Sequence, residues 1–251
     1  MFTHISGGET DIFLTAYVDD LVIAGCREKV DEFKHNISQR FRMKDLGSLS
    51  SVLGIEVRCD RSNGTVSISQ GGYIREVLKI YGFDECRGVP TPAVLSDIGA
   101  GVQKNTIGRS GNSPEYRGVV GSLMYASTGT RPDRAHAVHQ AARHMEDPYR
   151  EDFSTCKRIS RYLSTVPDLS ITFGGKSNGD GLEGFNDADW AEDVEDRKST
   201  TGYVLKQNGG AISWCNRKQQ LVTWSSTEAE YVAAGEEGKE TRYFLGIYQD
   251  R

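Results

Sequence analysis

Tyr17-Val18-Asp19-Asp20 lies between two short apolar runs, Ile12–Ala16 and Leu21–Ala24. Two β-prone runs around so short a break predict a hairpin. Its tip then displays two adjacent carboxylates, Asp19 and Asp20. A core cannot take them in, because unpaired buried charge is expensive. Aspartate is a common turn residue, so a bare Asp-Asp pair is ordinarily a solvated turn. Here a tyrosine precedes the pair and aliphatic residues flank it on both sides. Such a tip can hold a divalent cation near a phosphate, as two-metal nucleotidyl transfer requires.

The 251 residues allow one large domain or two small ones. A hydrophobic content of 37% and a mean hydropathy of −0.50 predict a soluble globular protein. No run approaches the ~18 apolar residues of a membrane span. The start, Met1-Phe2-Thr3-His4-Ile5-Ser6, has neither the basic residues nor the apolar stretch of a signal peptide. Five scattered cysteines with no Cys-x-x-Cys spacing argue against zinc and against a disulfide framework. An intracellular, reducing compartment is the expectation. The net charge of −5 is uneven: from Asp180 onward there are 14 acidic and 8 basic residues. An acidic chain binds nucleic acid poorly on charge alone, unless acids hold metal ions that bridge to phosphates.

After the hairpin, Val30, Phe33, Ile37 and Phe41 give a helical stripe over 27–41. Alternation in 53–57 and 65–69 around Ser62-Asn63-Gly64 predicts a second hairpin. A short helix over 72–81 closes at Gly82. Periodicity then fails from 89 to 113, which marks a connection between two lobes. Helices follow over 114–127, 132–145 and 153–163. The last presents Lys157, Arg158 and Arg161, either a solvated charged face or a surface for a phosphate backbone. Strands over 169–173, 182–190, 202–205 and 211–214, a possible strand over 221–224, and a helix from Ser225 through Ala234 complete the chain. That order predicts an α/β or α+β domain.

Two acids stand out in this last part. Asp187 ends a strand, and Glu230 lies on the final helix. A strand-end aspartate facing a helix glutamate is a workable site for a hard cation. Asp189 and Glu228 compete with them. If Tyr231, Ala234 and Ala233 mark the buried side of that helix, Glu230 borders it more closely than Glu228 does.

The chain resembles the Pol polyprotein of copia-type LTR retrotransposons, from the end of the reverse transcriptase into the RNase H domain. The resemblance rests on Tyr17–Asp20, Tyr116–Tyr125, Arg131-Pro132-Asp133 and Lys157–Leu163. It continues through Asp187–Ala191, Asp196–Tyr203 and Ser225–Tyr231, in that order and spacing. It implies a partial palm over 1–90, a linker over 91–113, a helical thumb and connection over 114–167, and a truncated RNase H-like mixed sheet with helices over 168–251. It also implies that Asp19 and Asp20 are the paired palm aspartates, with Asp19 the more direct metal ligand. Asp187 and Glu230 become the first two RNase H acids. The hairpin over 53–69 would position a primer end, Mg²⁺ or Mn²⁺ would be the cofactor, and an RNA–DNA hybrid or template–primer duplex the partner.

The family's upstream palm aspartate has no counterpart here; Glu9 and Asp11 do not sit in its motif. After Glu230 the only aspartate is Asp250. Each site thus keeps about half of its ligands, so the ion is expected to be weakly bound or absent and the isolated chain inactive. Beside the enzyme-fragment reading stand a decayed or co-opted non-catalytic fragment and a nucleic-acid- or protein-binding module.

Overall fold

A computed structural model describes residues 2–6, 9–93, 113–175, 181–193 and 196–249. Its strands and helices mix α and β throughout, and the chain divides into two compact units. The first is Met1–Leu53 with Tyr243–Arg251, the second Gly54–Arg242.

In the first unit β1 (Phe2–Ser6), β2 (Glu9–Tyr17) and β3 (Asp20–Gly25) form an antiparallel sheet in that order. Pairing of β2 with β3 runs from Ile12↔Gly25 to Tyr17↔Asp20, so the expected hairpin closes over Val18 and Asp19. Helix α1 (Arg27–Ser38) follows, and its apolar stripe of Val30, Phe33 and Ile37 is half-buried. Phe41 falls beyond the helix and is exposed. The unit reaches the two-residue strand β4 (Ser51–Val52).

The core of the second unit is helical. Helix α2 (Gly71–Ile80) buries Ile74, Val77 and Leu78, the i, i+3, i+4 face that its sequence spacing offers. Ile74 and Leu78 join Val120 and Leu123 of α3 (Pro114–Gly129), Val138 of α4 (Ala135–Ala142) and Ile159 of α5 (Arg150–Thr165). Ser113 caps α3 by accepting from the Tyr116 N–H at 3.3 Å, with Pro114 preset for the first turn. Tyr116 is fully buried, and its hydroxyl donates to the Ala141 carbonyl at 2.7 Å. Pro132–Arg134 forms a 3-10 turn ahead of α4, so the helix expected over 132–145 is shorter and starts later. At that corner fully buried Arg131 donates to both Asp133 oxygens, at 2.9 and 2.8 Å, and to the Val166 carbonyl at 2.8 Å. Arg131-Pro132-Asp133 therefore fastens the end of α3 to the end of α5.

Strand β5 (Ile55–Asp60) pairs with β6 (Thr65–Ser69), and β6 with β7 (Ile171–Gly174). The second sheet of this unit runs β10-β9-β8, from β8 (Leu182–Asp189), β9 (Thr200–Gln207) and β10 (Gly210–Lys218). Asn208 and Gly209 turn β9 into β10, with φ of 48° and 80°, the pair of positive angles that a two-residue hairpin loop demands. Helix α6 (Ser226–Gln249) packs Ala229 and Ala233 at full burial. Gln219 ties it to the sheet, donating to Thr201 Oγ1 at 2.9 Å and to the Ala229 carbonyl at 3.0 Å.

One expectation falls outside the described residues, and others meet a different arrangement. The expected linker lies largely outside the described residues, over 94–112. The compact units part at Leu53/Gly54, because α2 needs α3 and α5 to cover its apolar face and β7 pairs with β6. Residues 221–224 form no strand; Leu221, Val222 and Trp224 are exposed, the last at 92%. On α6 the buried side carries Ala229 and Ala233, whereas Tyr231 and Ala234 face solvent. No helix among the described residues is long and apolar enough to cross a membrane.

Leu123→Ala should cost about 2–5 kcal/mol, the usual loss for a fully buried leucine whose site cannot collapse. Denaturant unfolding of both proteins measures it; a loss under about 1 kcal/mol would mean that this helical core is not packed as described.

Candidate metal-binding acids

At the β2–β3 tip Asp19 and Asp20 are both exposed, as the sequence requires, and so is Val18, at 88%. Val18 holds a φ of 51°. A positive φ at the first central position of a two-residue hairpin loop is the place of glycine in a type II′ turn. A β-branched residue there is an outlier that costs about 1–3 kcal/mol. The tip thus holds its two carboxylates on a strained backbone.

In the second unit Asp187 sits on β8, exposed, opposite Gly202 of β9, and Gly202 in turn pairs with Asn216 of β10. Directly paired residues point to the same side of a sheet, and neighbours along a strand alternate. Phe185, Asp187 and Asp189 therefore share one face with Val204, Gly202 and Thr200 and with Trp214, Asn216 and Lys218. The other face carries Leu205 and Thr201, and α6 lies against it through Gln219 and Ala229. Glu230 is half-buried on α6. Glu228 is already engaged in capping α6 together with Ser225. Its carboxylate accepts the Trp224 N–H at 2.7 Å, while its own N–H donates to Ser225 Oγ at 3.2 Å. Among the described residues no group of three His, Cys, Asp or Glu stands close enough to hold one ion.

The Asp187 face abuts α4. Burial pushes the pKa of His136 and His139 down, and Asp189 pulls that of His136 partly back. Beside Asp189, Glu192 is pushed up to about 7, by burial first and then by the Asp189 carboxylate. Arg143 and Lys218 both pair with Asp193, Lys218 at 2.7 Å, and Lys218 also reaches Asp196 at 2.7 Å. None of the sequence motifs flagged Asn216 or His136, because only the pairing of β9 with β10 and the approach of α4 bring them to the Asp187 face.

Of the basic group on α5, Lys157 is exposed while Arg158 and Arg161 are half-buried. Arg158 donates to Thr91 Oγ1 at 2.9 Å and Arg161 to the Arg87 carbonyl at 2.6 Å. The Val89 N–H returns a bond to the Arg161 carbonyl at 3.4 Å. These two cations hold the 87–91 segment against α5.

Residues 1–95 match the family described as reverse transcriptase (RNA-dependent DNA polymerase). Over 244 residues the chain is 40% identical to the retrovirus-related Pol polyprotein from transposon TNT 1-94 of Nicotiana tabacum, covering 95% of this chain and 18% of that one. It is 35% identical to the Pol polyprotein from transposon RE1 of Arabidopsis thaliana, over 96% of this chain and 16% of that one. The chain therefore spans less than a fifth of these relatives. An uncharacterized mitochondrial protein of Arabidopsis thaliana is 32% identical over 88% of this chain and 90% of its own length. No solved structure matches.

Val18→Gly should leave stability unchanged or raise it by up to ~2 kcal/mol, since relief of ~1–3 kcal/mol of strain outweighs the ~0.5–1 kcal/mol entropic penalty of glycine. A loss above about 1 kcal/mol in denaturant unfolding would contradict a strained turn. Glu192 gives a second test. Its folded pKa near 7 stands above the ordinary 4.5, so the folded state binds the extra proton between those values and stability falls as pH rises through 7. Glu192→Gln should therefore raise the melting temperature over the parent at pH 8 and not at pH 4.5. Equal effects at both pH values would show that Glu192 keeps an ordinary pKa.

Proposed function

The chain belongs to the copia-type retrovirus-related Pol polyproteins of transposons, and we propose that it is the stretch running from the end of the reverse-transcriptase palm into an RNase H-like domain. The observation that carries this reading is the hairpin tip with Asp19 and Asp20 exposed side by side, inside the segment that matches reverse transcriptases. By descent, 1–90 is palm, 114–167 thumb and connection, and 168–251 the start of the RNase H-like part. Asp19, Asp20, Asp187 and Glu230 are the metal-binding acids, and the partner is a template–primer duplex or an RNA–DNA hybrid. Divalent ions, Mg²⁺ or Mn²⁺, would supply charge neutralisation at the phosphate under attack. The chain's own part is to hold carboxylates where those ions meet nucleic acid. Exposed acids at a tip and on a strand suit that role, since a hard cation keeps water as well as oxygen ligands.

In this reading the isolated chain is catalytically incomplete. Two-metal chemistry needs both ions fixed. Each ~1.4 kcal/mol of lost charge stabilisation is a tenfold loss in rate, so one incomplete site costs orders of magnitude. A second reading is a non-catalytic fragment that retains the fold. The Arabidopsis mitochondrial relative, matched over 90% of its length, favours it, because a protein of this extent then exists on its own.

Primer extension and cleavage of the RNA strand in a hybrid, with Mg²⁺ or Mn²⁺, should show the chain no more active than an Asp19→Asn, Asp187→Asn double variant. Activity well above that variant would overturn the claim of incompleteness and leave the Pol ancestry standing.

A further inference from the structure

The segment between β10 and α6 carries Trp224, the most exposed large apolar side chain among the described residues, at 92%. Its backbone is held from both sides. The Trp224 N–H donates to Glu228 Oε2 at 2.7 Å, in the first turn of α6. Thr223 before it is buried, with its hydroxyl 3.0 Å from Ser199 Oγ and its carbonyl accepting from Trp190 Nε1 at 3.2 Å. A bare indole on a fixed backbone loses little freedom when a ligand covers it, since only two side-chain torsions remain to be ordered. The surface that it borders is built largely of hydroxyls. Ser225, Ser226 and Thr227 are exposed, and so is Tyr231, at 76%. Thr227 lies three residues before Glu230 and four before Tyr231, so it neighbours both on the helix surface.

We propose that Trp224 is a stacking platform for an unpaired nucleobase, in a strand that also meets Glu230 in the first turns of α6. The inference rests on the reading of Glu230 as an acid that meets nucleic acid, and adds a base contact beside it. The spacing fits. Ser226 to Glu230 spans about 6 Å at ~1.5 Å per helical residue, and the two links from Trp224 to Ser226 add at most ~7 Å. A strand advances ~3.4 Å per nucleotide, so a base about two to four nucleotides from the phosphate near Glu230 reaches the indole. Serine, threonine and tyrosine hydroxyls between the two positions suit sugar and phosphate oxygens. Stacking also suits the local charge, because a base offers an uncharged face and needs no cation beside the ring. A lysine- or arginine-rich peptide would seek exposed carboxylates, but Glu228 and Glu230 are half-buried and the first is already bonded. Leu221 and Val222 are exposed on the same segment, at 47% and 51%, which makes an apolar protein surface the competing occupant.

Single-stranded oligo-dT with Mg²⁺ tests this on the full chain, by anisotropy of a fluorescein-labelled strand and by tryptophan emission with an unlabelled one. The parent should bind, with its emission quenched. Trp224→Ala should weaken binding by roughly five- to 150-fold, the equivalent of ~1–3 kcal/mol for one stacked base, and remove most of the quenching. Trp224→Phe, which keeps a flat ring, should recover most of the affinity. Circular dichroism checks that each variant folds, and the exposure of Trp224 predicts that it does. Binding that Glu230→Gln weakens but Trp224→Ala leaves unchanged overturns the inference and leaves the reading of Glu230 standing. Binding that Trp224→Ala weakens but Glu230→Gln leaves unchanged overturns the placement of the strand along α6. No binding by the parent overturns both. Self-association in analytical ultracentrifugation that Trp224→Ala abolishes, with oligo-dT binding unchanged, assigns the ring to a contact between two copies and likewise overturns the inference.

Discussion

A single extra residue in β10 decides what surrounds Asp187. Counting outward from the Asn208-Gly209 turn, Gln207 pairs with Gly210 and Lys206 with Ala211, but Leu205 pairs with Ser213. Ile212 is the bulge. Had pairing continued without it, Gly202 would face Cys215, and Asn216 would lie on the other side of the sheet. A one-residue slip moves every later side chain to the opposite face. The bulge thus places Asn216 and Lys218 on the Asp187 side and leaves Cys215 and Arg217 on the side that α6 covers.

That division of faces gives the acids of this region separate functions. Asp187 is exposed on the side that α4 borders. Glu228, on the helix beyond the other face, accepts the Trp224 N–H at the start of α6. Asp193 neutralises two cations, Arg143 and Lys218. Glu192 is half-buried beside the Asp189 carboxylate, and burial with a like charge nearby is why its proton is held so firmly. These acids of the C-terminal part are therefore individually placed charges, each with its own surroundings.

The helical half follows a different logic. Apolar spacing on α2, α3 and α5 buries one face of each, and the small residues of α4 let it lie close to them. The polar residues of that half are used mechanically. Arg131 closes a corner with Asp133 and the Val166 carbonyl, and Arg158 and Arg161 hold the 87–91 segment. Two members of the basic run Lys157, Arg158 and Arg161 thus also tie a neighbouring segment to α5.

Much was legible in the amino-acid order, because it depends on local periodicity and turn chemistry. The Tyr17–Asp20 hairpin, the 55–69 hairpin, the α2, α3 and α5 helices and the Asn208-Gly209 turn all follow from residues near in sequence. The exposure of Asp19 and Asp20 follows from the cost of burying charge. Tertiary structure alone decided the rest. The failure of Leu221–Trp224 to pair and the buried side of α6 at Ala229 and Ala233 depend on where the sheet lies. The pairing of β7 with β6 depends on a partner about a hundred residues away. The company of Asp187 depends on a bulge that leaves no mark in composition, since it shifts the phase of the alternation by one residue at a point that only the pairing with β9 fixes.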